Sequence, residues 1–82
     1  MKIYTINRLA SGGSDTLVAQ GLAIHIRQDE EARVRNILSQ SGFTPEFLVS
    51  GCVDTHEVKF TQLDGLPEAT VYALRSRLEA IA

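Results

Sequence analysis

The sequence holds a single cysteine, Cys52, so no intrachain disulfide can staple its fold. Small secreted domains usually need several such bridges, which makes a reducing cytoplasm the expected compartment. Long apolar runs are missing as well. No segment approaches the roughly 18 uninterrupted apolar residues of a membrane span, and the opening Met1–Thr5 turns polar at once, unlike a secretory leader. Charge of one sign is scarce: eight Lys and Arg against ten Asp and Glu leave a formal net charge of −2. Binding carried mainly by phosphates needs many cations gathered on one surface, whereas these are spread through every segment. Tryptophan is absent, and the aromatics amount to three Phe and two Tyr.

What is present is enough for one domain. The chain has 82 residues, of which 44% are apolar and 22% charged, ordinary globular proportions. A domain over residues 1–82 buries only about 60–65% of its unfolded surface, so the core is thin but feasible.

Lys2–Leu9, rich in β-branched and aromatic residues, predicts a first strand. Ser11-Gly12-Gly13-Ser14-Asp15 ends it as a loop. A second strand follows over Leu17–Arg27, where Leu22, Ile24 and Ile26 alternate with Ala23, His25 and Arg27. Gly21 within it marks a bulge or a close backbone approach. The first helix has Asp29 as its cap and Glu30 and Glu31 against the positive end of its dipole. Val34, Ile37, Leu38 and Ser41 form its stripe, and Asp29–Arg33 and Glu31–Arg35 are its acid-to-base pairs. Gly42 supplies the left-handed residue that ends it, with Phe43 placed to touch Leu38.

Glu46–Val53 predicts a third strand with Phe47, Val49 and Val53 on one face and Leu48, Ser50 and Cys52 on the other. Asp54-Thr55-His56 connects it to a fourth strand over Glu57–Leu63, with Val58 and Phe60 inward and Lys59 and Thr61 outward. Asp64-Gly65 breaks that strand. Pro67 opens a second helix whose stripe is Val71, Leu74, Leu78 and Ile81.

The order ββαββα and the apolar stripes predict an α+β two-layer sandwich: a four-stranded antiparallel sheet with both helices on one face. This corresponds to a ferredoxin-like arrangement whose last strand has moved to the front of the chain, with the third strand not beside the second.

The face left open then carries Ala23, His25, Arg27, Leu48, Ser50, Cys52, Glu57, Lys59 and Thr61. His25 with Cys52 suggests a nucleophile and base, but the favoured strand order keeps them apart, and no orienting group accompanies them. His25, His56, Cys52 and Asp54 lack the short-spaced pairs that zinc sites use, so no metal or other cofactor is expected. The Gly12-Gly13 loop resembles a phosphate cradle in composition, yet it has no P-loop lysine and no helix after it. Arg33, Arg35, Arg75 and Arg77 read as solvated helix faces. With Phe47 and Phe60 inward, only Tyr4 is left as a platform for bases, and nucleic acid is an unfavoured partner.

The expected function is therefore a small non-enzymatic interaction module. It is expected to be a homodimer that binds a protein partner through the open sheet face or an edge strand, with His25, Arg27, Lys59, Cys52, Gly12 and Gly13 as the contact residues. An inhibitor or accessory protein of a phage or other mobile element is compatible with this size and acidity. The alternative is a small ligand-binding domain or minor enzyme using His25 on the sheet face, with Arg27 or Lys59 as its electrostatic partner.

Overall fold

Leu22, Ile24 and Ile26 are 0–1% exposed in the computed structural model, which describes residues 1–9 and 17–82. Their alternation with Ala23, His25 and Arg27 sets the two faces of the sheet. The strands are β1 (Lys2–Leu9), β2 (Leu17–Arg27), β3 (Leu48–Val53) and β4 (His56–Leu66); the helices are α1 (Glu31–Gln40) and α2 (Glu68–Glu79). All strand pairs are antiparallel, in the order β1-β2-β4-β3. The architecture is α+β, and β3 does not adjoin β2.

Both helices lie on one face. Val34, Ile37 and Leu38 of α1 and Val71, Leu74 and Leu78 of α2 join Leu22, Ile24, Ile26 and Leu63 in one core. Each fully buried aliphatic side chain contributes roughly 1.5–3 kcal/mol of transfer free energy. Ile81 and Phe43 pack against this cluster. Gly42, at φ 89°, ends α1, and the Phe43 N–H donates to the Leu38 carbonyl at 2.8 Å, so the expected cap is formed.

Several expectations need correction. Asp29 does not cap α1; it lies in a 3₁₀ turn over Gln28–Glu30. The Glu30 carboxylate instead accepts the Arg27 N–H at 3.0 Å. The third strand starts at Leu48 rather than Glu46, and β4 continues through Asp64-Gly65 to Leu66. It does so because Gly65 takes φ 65° and the β2–β4 register shifts between Gln20 and Leu22, absorbing the irregularity as a bulge. Gly21 sits at that bulge, where a Cβ would run into the Leu63 carbonyl oxygen.

The larger correction concerns faces. Lys59 stands opposite the buried Ile26, and Thr61, 3% exposed, stands opposite Ile24. Lys59, Thr61 and Leu63 therefore point to the helices, and Val58, Phe60 and Gln62 point away. Apolar content misassigned this strand because Lys59 lays its stem along the sheet and carries its charge out to an acid on α1. On β3 the register shifts between Val49 and Gly51. That extra residue reverses the alternation, so Leu48 and Val53 share the open face and Val49 and Cys52 the opposite one.

Among the described residues no helix is long and apolar enough to cross a membrane.

Candidate functional site

The uncovered face is built from residues that alternation sends away from the core: Lys2, Tyr4, Ile6 and Arg8 on β1, Ala23, His25 and Arg27 on β2, Val58, Phe60 and Gln62 on β4, and Leu48 and Val53 on β3. Its centre is a row of three rings running across the strands. His25 lies directly opposite Phe60 in the β2–β4 register, with ring centroids 5.9 Å apart and planes tilted by 40°. Tyr4 meets the other side of His25 edge-on, at 5.5 Å and 77°. Leu48, opposite Phe60, extends the row onto β3. Tyr4 is 50% exposed and Leu48 55%, while His25 and Phe60 between them are half-buried.

Charge frames the row. At one end Arg8 and Asp64 bridge the sheet at 3.0 Å and neutralise each other. At the other, Lys2 stands opposite His25 and Arg27 opposite Val58. Neither cation joins an ion pair among the described residues. They flank an open cleft of about 410 Å³ whose walls include Tyr4, Val53, Asp54 and Val58. Lys2 and Arg27 thus gather at one end of this face, on a chain whose net charge is −2.

Of the residues singled out from sequence, His25 and Arg27 lie on this face. Lys59 does not: its Nζ lies 2.9 Å from Glu31 and 3.2 Å from Glu57 on the helix side. Hydrogen bonding to Lys59 holds the Glu31 carboxyl below its usual range, and hydrogen bonding to Glu31 and then Glu57 raises Lys59. Cys52 is exposed, but it is paired with Glu57 and points to the helix side. His25 and Cys52 therefore occupy opposite faces, with β4 between their strands, and cannot work as base and nucleophile. Gly12 and Gly13 lie outside the described residues.

Tyr4 and Phe60 are the residues of this face that sequence reasoning undervalued. The signal that locates Phe60 is Lys59: two residues adjacent in a strand take opposite faces, and Glu31 on α1 offers the lysine a partner.

The helix-face arginines have local tasks. Arg35 pairs with Glu31 at 3.4 Å and lies 4.9 Å over the Phe47 ring, and Arg75 pairs with Glu79 at 2.8 Å. Arg77 donates to Ser41 at 2.9 Å and so ties α2 to the end of α1. No ion pair joins Asp29 to Arg33 among the described residues. There too, no three His, Cys, Asp or Glu side chains converge as metal ligands.

Comparison with family models, curated proteins and solved structures finds no match to this chain.

Proposed function

We propose that this protein is a small non-enzymatic interaction module that works as a homodimer joined through its β3 edge. One observation carries the reading: all six residues of β3 are exposed, on both faces, and none is charged. Leu48, Val49 and Val53 are 55–60% exposed. Edge strands are ordinarily blunted by charge, by bulges or by a covering element. The opposite edge, β1, carries Lys2 and Arg8, whereas β3 carries no charge and is interrupted by its bulge alone.

A second copy fits this edge by its own symmetry. Antiparallel two-fold pairing about the Ser50–Gly51 bulge sets Leu48 against the partner's Val53 and Val49 against the partner's Cys52, so apolar meets apolar on each face. The two sheets then become one, and the open faces remain available on both protomers.

The strand order also supports a permuted ferredoxin-like reading. Moving β1 from the front of the chain to its end turns ββαββα into βαββαβ, with every antiparallel neighbour kept. The free thiol of Cys52 supports a reducing, cytoplasmic setting.

Light scattering over a wide concentration range tests the dimer. The expected mass is twice the 9.0 kDa of one chain, falling to a single chain in Val49→Lys, whose added charge lies on an exposed edge and leaves the core intact. A wild-type mass of one chain throughout overturns the proposal.

A further inference from the structure

We infer that the uncovered sheet face binds single-stranded nucleic acid, with bases stacked on Tyr4, His25 and Phe60 and backbone phosphates held by Lys2 and Arg27. Three observations converge on that occupant, and none depends on how the chain self-associates.

The first is the ring row. Single strands bind proteins without sequence readout by stacking bases on exposed aromatic side chains, since every base has a π-face. Here three rings cross β1, β2 and β4 at centroid spacings of 5.5 and 5.9 Å. Two of them stand on the central strands β2 and β4, with both helices behind the sheet. A four-stranded sheet with aromatics on its open face is a recurrent platform for unpaired bases.

The second is charge. Lys2 and Arg27 project from the same face as the rings and have no acid partner among the described residues. Arg8 and Asp64 cancel each other at 3.0 Å, leaving Asp54, which lines the cleft, and Glu46, which lines a smaller cavity with Leu48, Phe60 and Gln62, as the other acids near this side. The remaining described acids lie on the helices, in the 3₁₀ turn before α1, or on the helix side with Lys59. A chain of net charge −2 has thus put its unpaired strand cations beside the ring row, of which Tyr4 is exposed and His25 and Phe60 half-buried. An anionic ligand with flat apolar groups complements the end that carries Lys2 and Arg27; the same end of a second copy does not.

The third is shape. The cleft of about 410 Å³ opens between Lys2, Tyr4 and Arg27, at the end of the ring row. It gathers Tyr4 and two cations around a single recess, while the sheet beyond it accepts the neighbouring nucleotides. A duplex, whose bases are stacked inside, cannot reach the rings.

The test is fluorescence anisotropy of labelled oligouridylate and oligothymidylate with the full chain at about 50 mM salt. The expected result is saturable binding, with Lys2→Glu and Arg27→Glu each weakening it at least tenfold and Arg33→Glu on α1 leaving it within twofold. Two phosphate contacts give a log–log salt slope of about −1.4. Tyr4→Ala costs roughly five- to hundredfold, the range for one stacked base. Phe60→Leu, which keeps apolar bulk, weakens binding similarly, and Phe60→Tyr restores it. Val49→Lys binds as wild type per chain, which separates this inference from the dimer.

Absence of binding by the wild-type protein overturns the inference. So does full binding by both Tyr4→Ala and Phe60→Leu, since the contact would then be charge alone. Equal competition by an unlabelled duplex overturns it too.

Discussion

Lys59 on β4 reaches Glu31 on α1 at 2.9 Å, and this contact decides that Phe60 faces away from the helices. Neighbouring residues of a strand point to opposite faces, so a lysine held by a helix places the phenylalanine beside it on the open side. The same alternation brings Phe60 against His25 and creates the ring row. A helix-side ion pair and an open-face row of rings are consequences of one register.

That pair gives the stability a defined pH dependence. Hydrogen bonding to Lys59 lowers Glu31 from its ordinary 4.5. Its contribution is complete above that value and is lost as pH falls through the lowered native value. Lys59 is raised from 10.5, first by its hydrogen bond to Glu31, so its contribution is complete below 10.5 and lost as pH rises through the raised native value. Thermal melts of wild type and Glu31→Gln across the acid range should show a gap in Tm that closes on acidification. A gap independent of pH would refute the assignment.

Gly21→Ala should be among the most damaging single changes in the sheet. The added Cβ meets the backbone oxygen of Leu63 and the Asp64 Cα, neither of which is a flexible side-chain tip. Relief requires the β2–β4 bulge to open, and a loss of at least about 2 kcal/mol is expected in urea denaturation. Gly51→Ala has nothing within 4 Å of the new carbon. Its cost arises from φ 151° alone, and about 1 kcal/mol is expected.

Thr55→Gly should stabilise the protein. Asp54 and Thr55 both have positive φ, 51° and 69°, between Val53 and His56, which pair across the hairpin. These are the signs of a type I′ turn, for which Asp-Gly is a favoured sequence. A β-branched threonine at the second position is strained. Relief of about 1 kcal/mol corresponds to a Tm rise of roughly 4–8 °C for a domain this small. A lowered Tm would argue against the turn assignment.

Leu78→Ala and Tyr72→Ala provide a contrast on one helix. Leu78 is 0% exposed and Tyr72 76% exposed, although both are large apolar side chains of α2. The first should cost about 2–5 kcal/mol through lost burial and a residual cavity, the second within about 0.5 kcal/mol. Comparable losses from both would mean that Tyr72 is covered in solution by a surface absent from the isolated chain.

The sequence by itself determined the elements and their order. Lys2–Leu9 and Leu17–Arg27 form strands over those limits, Gly42 ends α1, and the stripes Val34-Ile37-Leu38 and Val71-Leu74-Leu78 are buried. These features follow from local rules: a period of two or of 3.6, a cap residue, a left-handed glycine. It also located His25 and Arg27 on the open face, because the alternation of β2 is unbroken from Leu22 onward. Tertiary structure alone decided the faces of β3 and β4. On β3 a bulge of one residue inverts every later side chain, and Gly51 beside it, like Gly21, permits a bulge without requiring one. On β4 hydrophobicity pointed the wrong way, because the place beneath α1 is filled by a lysine whose charge is met by Glu31. Burial follows from which partner a residue can reach, and in a thin two-layer domain that partner lies 28 residues away along the chain.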